Sequence, residues 1–377
     1  MIEAPGFWWS AGCFLAVIGP LVFLHEMGHY LVGRWCGVKA DTFSVGFGKE
    51  LFGWTDARGT RWKLSAIPLG GYVKFAGDLS AASEPNEEWK ALPAAERAVT
   101  FQAQTLWKRA LIIAAGPVTN LLVAALIFVG IFAFYGELRT PPTVASVLPA
   151  SAAATAGIKP GDKIVAIDGS RITQFSQIGD IAAIRPGVPL RFEIERAAAL
   201  AVVTVTPIAM VRKDIFGNQA RIGQLGIGSG RPERVMLSPI ELPGAALHET
   251  ARVLFVTADG LAQIFRGRVS VKELGGPIKI AKFSGQVATL GIVAFLGFMA
   301  LISINLGFIN LLPIPMLDGG HLTFYAVEAI LRKPVSQDVQ EWAYRAGFAV
   351  VIGFMLLVNF NDLESSGVLQ RLSSLIG

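Results

Sequence analysis

The chain has 377 residues, of which 53% are hydrophobic and only 16% charged, with a mean hydropathy of +0.52. Soluble globular domains carry about 25% charged residues, and the apolar excess here falls in blocks, which reads as a polytopic α-helical membrane protein. The net charge of +5 is small and scattered, without the basic stripe that would mark a nucleic-acid partner; lysines and arginines beside apolar blocks suit membrane lipid instead.

The first apolar block runs from about Phe7 to Trp35 and is interrupted by His25, Glu26 and His29, giving a first transmembrane helix within residues 1–37. It lacks a basic start and runs into an ionisable stretch, so it does not read as a cleavable signal peptide. Cys13 and Cys36 lie 23 residues apart in or beside this block, which leaves no disulfide framework and no Cys-type zinc site. Residues 38–106 form a β region: Thr42–Gly48, Arg61–Ser65 and Ile67–Phe75 read as strands or an apolar glycine-rich loop. Such a region can dip into a bilayer only where protein satisfies its backbone.

The second block, uncharged from Ala110 to Tyr135, gives a span over 107–136. After the Pro141-Pro142 linker, Thr143–Pro207 reads as a small β-rich domain, assigned to 140–210. Its strands are Val144–Leu148, Ile164–Ile167, Leu190–Glu195 and Val202–Val205, with turns at Gly157–Asp162 and Asp168-Gly169. An extension over 211–282 carries an amphipathic surface helix within Pro239–Arg266. The third block, uncharged from Phe283 to Leu317, is assigned with the motif after it to 283–322. It is too long for one simple span, so its end is expected to bend. A loop over 323–341, a fourth span over 342–362 and a tail over 363–377 complete the chain.

Residues 1–33 hold no Lys or Arg, whereas Arg34–Arg109 holds eleven, several at its two ends. The positive-inside rule makes that segment cytoplasmic, 137–282 external and Asp318–Trp342 cytoplasmic.

His25-Glu26-Met27-Gly28-His29 is an H-E-x-x-H motif. On a helix the two histidines sit at i and i+4, project from one face and can hold one zinc ion. Glu26 is placed to take a proton from a zinc-bound water. Ionisable groups inside an apolar helix are costly and functional by default. A catalytic zinc needs a third protein ligand. The candidate is Asp318, which follows Asn310-Leu311-Leu312-Pro313-Ile314-Pro315-Met316-Leu317. Two prolines end the helix there and force an extended stretch. His321 competes but suits a supporting position, and His248 reads as a solvated residue.

These segments resemble the site-2 protease family of intramembrane zinc metalloproteases. H-E-x-x-H at His25–His29, G-P-x-x-N at Gly116–Asn120 and N-x-x-P-x-P-x-L-D-G at Asn310–Gly319 occur in that family's order. The resemblance covers nearly the whole chain and is closest to the bacterial RseP type, the regulator of sigma-E protease. It implies a fold of about four transmembrane helices with a membrane-associated β-hairpin region and one inserted extracytoplasmic PDZ domain. That is one PDZ where members often carry two.

It also implies hydrolysis of a peptide bond in the transmembrane segment of a single-pass protein, of anti-sigma-factor or signal-peptide type, after a first cut by an upstream site-1-type protease. The enzyme would sit in the bacterial inner membrane with its active site toward the cytoplasm. Zn2+ would be held by His25, His29 and Asp318, with Glu26 as general base. Asn310 and Asn120 are candidates for positioning substrate or stabilising the oxyanion. A helical substrate must unwind, and an edge strand would receive it; Phe43, Ser44, Val45, Gly46 and Phe47, or the hairpin after them, are the candidate edge. A non-catalytic adaptor would have lost a ligand or Glu26, and a metal transporter would show repeated halves; neither pattern is present.

Overall fold

The computed structural model describes residues 6–77, 89, 91–183, 185–197, 199–213, 219–265 and 275–365. The expected tail beyond 365 and the stretch 266–274 therefore lie outside the described residues. The chain divides into two compact units, one of Met1–Gly130 with Pro243–Gly377 and one of Ile131–Leu242.

Among the described residues four helices are long and apolar enough to cross a membrane: α1 (Phe7–Trp35), α3 (Leu106–Tyr135), α8 (Ile292–Asn310) and most of α10 (Gln337–Ser365). Their mean hydropathies run from 1.7 to 2.4. Lipid gives apolar helices no hydrophobic reason to associate, so small residues that allow close backbone approach decide the packing. Helix α1 buries a stripe of Cys13, Val17, Leu21, His25, Gly28 and His29 at helical spacing. A Cβ on Gly28 would collide with the Thr119 hydroxyl and lie 2.6 Å from the Ala115 carbonyl of α3. On α8, a Cβ on Gly307 would lie 2.9 Å from the Pro117 carbonyl of α3.

The third apolar block is not one helix. It divides into α7 (Pro277–Thr289) and α8 at Gly291, whose φ of 104° stops the first helix. Helix α8 then ends at Asn310, and the two prolines carry the chain to a separate helix, α9 (Asp318–Leu331). The bend expected at the end of the block lies at the prolines after Asn310; the break at Gly291 and the helix that runs into 323–341, expected to be a loop, are corrections. Asp362 of α10 accepts from the backbone amides of Gly276 (3.2 Å) and Lys279 (2.9 Å), which caps the first turn of α7. Helix α6 (Leu242–Phe265) is not among the four candidate spans. Its Thr257 hydroxyl nevertheless donates to Asn305 Oδ1 of α8 at 3.0 Å.

Between α1 and α3 the chain forms β1 (Ala40–Thr55), β2 (Arg61–Phe75) and a short α2 (Ala94–Ala98). The two strands are long and bent, and β1 is used twice. Its first half pairs with Arg61–Leu64 on one side and with Gly71–Phe75 on the other, while its second half closes a hairpin on Arg61–Ser65. Phe43–Val45 is therefore a central strand. The expectation that it offers a free edge is corrected, and the outer rows are Gly71–Phe75 and the second half of β1. Phe43 is buried in a stack with Trp62 at 4.5 Å and against Tyr30 of α1, which ties the sheet to the helix.

The second unit has its own core. Strands β5 (Lys163–Ile167), β6 (Ser170–Arg171), β7 (Leu190–Arg196) and β8 (Ala199–Val205) form an antiparallel sheet in the order β6-β5-β7-β8. Leu190, Phe192 and Ile194 alternate inward from β7. They pack with Ile164, Ile167 and Ile178, the last from α5 (Phe175–Ala183), which follows α4 (Ala152–Thr155). Burying each such side chain contributes about 1.5–3 kcal/mol. Around this sheet, β3 (Glu137–Arg139) pairs with β12 (Glu233–Val235), β4 (Val144–Val147) with β11 (Ile227–Ser229), and β9 (Ile208–Lys213) with β10 (Gln219–Gln224). Leu225 joins the same core and its carbonyl accepts from the Ala153 amide at 3.0 Å. The domain consequently runs past residue 210, where the sequence reading ended it.

Candidate metal centre

Three side chains from distant parts of the chain converge inside the first unit. The Nε2 atoms of His25 and His29 lie 3.2 Å apart, and Asp318 Oδ2 lies 3.2 Å from the first and 3.5 Å from the second. Among the described residues this is the group able to hold a metal ion. Zinc bonds of about 2.0–2.1 Å in a tetrahedron place neighbouring donors about 3.3–3.4 Å apart. The three observed separations fit that edge length, and two imidazoles with a carboxylate are a donor set zinc accepts.

The histidines sit one turn apart on the buried stripe of α1, and both are less than one-tenth exposed. Each ring is held by its far nitrogen. His29 Nδ1 lies 2.8 Å from the Ile112 carbonyl. A carbonyl only accepts, so His29 donates from Nδ1 and keeps a lone pair on Nε2. His25 Nδ1 lies 3.0 Å from the amide of Asn120, a fully buried residue. Asn120 also links helices through its backbone carbonyl, which accepts from Ser303 Oγ of α8 at 2.7 Å.

Asp318 stands at the first position of α9, delivered by the proline-turned segment. Met316 in that segment has φ of 86°, a left-handed conformation that a side chain with a Cβ adopts at a cost. A Cβ on Gly319 would collide with the Leu311 and Leu312 carbonyls, so only glycine lets the turn close this tightly behind Asp318. His321 does not join the three donors. Its Nδ1 lies 2.9 Å from the Tyr344 hydroxyl of α10, which makes it a supporting residue. His248 is exposed on α6.

Glu26 is buried one position after His25 and lines the same cavity, of about 460 Å³, as His25, His29 and Asp318. The sheet forms one wall. Gly71 packs so closely that a Cβ there would lie 2.6 Å from the Ser44 carbonyl and 2.9 Å from Glu26 Cγ. The Val73 backbone amide reaches toward the Glu26 carboxylate. Asn310, at the end of α8, also lines the cavity. Of the candidate edge Phe43–Phe47 only Phe47 does, while Ser44 is buried with its hydroxyl donating to the Gly46 carbonyl at 2.9 Å.

Two elements of the site escape a reading by donor residue types. The Ile112 carbonyl is backbone and leaves no trace in the sequence. Gly116 has no side chain to notice, yet a Cβ there would collide with His29 Nε2 and lie 2.8 Å from His25 Nε2. The G-P-x-x-N pattern was the available signal for it.

The chain matches the model of peptidase family M50 over residues 13–354. A protein of Agrobacterium fabrum named for an inferred zinc metalloprotease activity is 46% identical over 93% of this chain and 95% of its own length. One of Mesorhizobium japonicum, named likewise, is 46% identical over 93% of this chain and 97% of its own. The metalloprotease MmpA of Caulobacter vibrioides is 35% identical over 96% of this chain and 97% of its own. With a family match across most of its length and relatives this similar end to end, the chain belongs to peptidase family M50, the site-2 proteases, and is a zinc-dependent metalloprotease.

Proposed function

We propose that this metalloprotease cleaves the transmembrane segment of single-pass membrane proteins as the second cut of a two-step pathway, using His25, His29 and Asp318 to hold zinc and Glu26 as its base. The observation that carries the reading is the convergence of His25, His29 and Asp318 in a cavity walled by span-length helices and by a sheet row, with Glu26 in the same wall. Bound zinc would polarise a carbonyl and acidify a coordinated water. Glu26 takes up a proton beside the ligands and returns it to the leaving amine. Asn310, on the cavity wall, is the candidate donor to the developing oxyanion. Asn120 lines the same cavity, but its side-chain amide is committed to His25 Nδ1 at 3.0 Å, which argues against the same role for it.

An unwound substrate needs new partners for its backbone. The row Gly71–Phe75 has its inner side on β1 and lines the cavity through Gly71, Tyr72 and Val73. It is the edge we assign to substrate, in place of Phe43–Phe47. We read the second unit as a PDZ domain. Its support is a groove of about 700 Å³ between α5 and the Gly223–Ile227 segment, lined by Phe175, Leu225 and Ile227 among others. There it excludes large ectodomains or receives a newly cut carboxyl terminus. Basic residues crowded into Arg34–Arg109 support an inner-membrane enzyme with its centre toward the cytoplasm.

The test is cleavage of a model transmembrane substrate by the purified protein. Glu26→Gln should lower turnover about 10²–10⁴-fold with zinc retained, and Asp318→Asn or a chelator should remove zinc and activity together. Full activity in Glu26→Gln would refute the assignment of the base. Unchanged zinc content in Asp318→Asn would move the third ligand elsewhere.

A further inference from the structure

We infer that Asn120 is a positioning residue for the metal ligand His25: its side-chain oxygen accepts the Nδ1 proton of that ring and so keeps Nε2 free to bind the ion. The inference rests on the ligand assignment proposed above.

Two neutral imidazoles that both bind through Nε2 must both carry their proton on Nδ1. Each therefore needs an acceptor behind it. For His29 the acceptor is the Ile112 carbonyl at 2.8 Å, and its identity is fixed because it is backbone. For His25 the partner at 3.0 Å is the side-chain amide of Asn120. As placed, the amide nitrogen faces Nδ1. That orientation puts a donor against the ring and would force its proton onto Nε2, where it would face His29 Nε2 and Asp318 Oδ2 at 3.2 Å each. The oxygen and nitrogen of an amide are distinguished only by such partners. Turning the amide end for end pairs Oδ1 with the Nδ1 proton and returns the Nε2 lone pair to the three-donor cluster.

Asn120 is well held for this task. It is fully buried, its backbone carbonyl takes the Ser303 hydroxyl at 2.7 Å, and a Cβ on Gly307 would lie 3.4 Å from its own Cβ. Helices α3 and α8 therefore fix the amide against α1. An acceptor behind a metal-bound histidine sets tautomer and ring angle together, and losing one typically costs about 10–100-fold in metal affinity.

The experiment measures zinc affinity of the purified full-length protein by competition with a chromogenic chelator, and separately the melting temperature of the zinc-free protein. Asn120→Leu, similar in size but unable to accept, should weaken zinc binding about 10–100-fold. Asn120→Asp, which keeps an acceptor and loses the amide donors, should retain wild-type affinity. If the Leu variant is not recovered folded, Asn120→Ala takes its place. A non-accepting variant that binds zinc like wild type overturns the inference, as does an Asp variant that loses as much as the Leu variant. So does a fall in the melting temperature alone, which would make Asn120 a packing residue. His29→Ala runs alongside: unchanged zinc affinity there would sink the ligand assignment itself, independently of the Asn120 arms.

Discussion

Gly116→Ala adds one methyl group to the wall of the proposed metal site, and its consequence can be worked from distances. The new carbon would collide with His29 Nε2 and lie 2.6 Å from His29 Cε1 and 2.8 Å from His25 Nε2. Carbon rests about 3.5 Å from such neighbours, so the His25 ring would have to retreat about 0.7 Å and the His29 ring about 0.9 Å or more. Metal–ligand distances tolerate about 0.2 Å. Retreat also strains the bonds that hold each ring from behind, at Ile112 and Asn120. The helix itself gains, because alanine is favoured over glycine by about 0.8–1.0 kcal/mol in a helix interior. Fold and site should therefore part. Zinc affinity should fall at least about 100-fold, about 2.7 kcal/mol, while the zinc-free protein, in which the helix gain offsets part of an overpacking cost of about 1–3 kcal/mol, should lose much less in melting temperature. Chelator competition and differential scanning on the same preparation read both. Wild-type zinc affinity in Gly116→Ala would refute the placement of the ion between these two nitrogens.

The second unit carries a pH-dependent ion pair, and the proposed substrate edge yields a backbone test. Two hydrogen bonds of 2.6 Å from Arg196 hold the buried Asp162 carboxyl below the usual carboxylate range. A depressed carboxylate contributes stability above its unfolded pKa of about 3.9 and loses it as pH falls. Arg196→Met should therefore lower the melting temperature of this domain at pH 7, and its deficit against wild type should shrink below about pH 4. A deficit independent of pH would assign the loss to packing. At the edge, Val73→Pro removes a backbone amide that lies near the Glu26 carboxylate. Proline is tolerated on such an outer row. The variant should fold and bind zinc, yet cleave a transmembrane substrate about tenfold more slowly, as loss of one backbone hydrogen bond to the substrate, worth about 0.5–1.5 kcal/mol, implies. Undiminished cleavage would dismiss Gly71–Phe75 as the substrate edge.

The three donors and Glu26 were legible because each leaves a residue type at a telling place. His25 and His29 share a helix face at fixed spacing, and Asp318 follows two prolines that any helix must break for. The β strands of the second unit were legible through alternation, as in Leu190, Phe192 and Ile194. Its end was not, because β11 joins the domain by pairing with β4 some 80 positions earlier, a contact that no local pattern encodes. The same limit explains why the edge stays open in the sequence between Phe43–Phe47 and the hairpin after them. Phe43–Val45 has the composition of a strand, but whether a strand is central or outer depends on where Gly71–Phe75 returns, and the chain folds that row back onto the far side of β1. Most of helix α9 falls in a stretch whose apolar residues are too few for a span and whose sequence reads as loop, although Asp318 at its first position stabilises the helix start.

Glycine links these cases. Gly28 and Gly307 let α1 and α8 touch α3, Gly116 leaves space beside the histidine nitrogens, and Gly71 lets the sheet reach Glu26. In water such closeness would be driven by burial of apolar surface; in lipid it has to come from backbone fit. Small residues at the helix contacts and small residues around the cavity are then one design seen from two sides. A methyl group added at Gly28 or Gly307 presses on backbone and should disturb assembly first. One added at Gly116 presses on the side chains proposed to hold the ion, which is why that position should separate metal binding from folding.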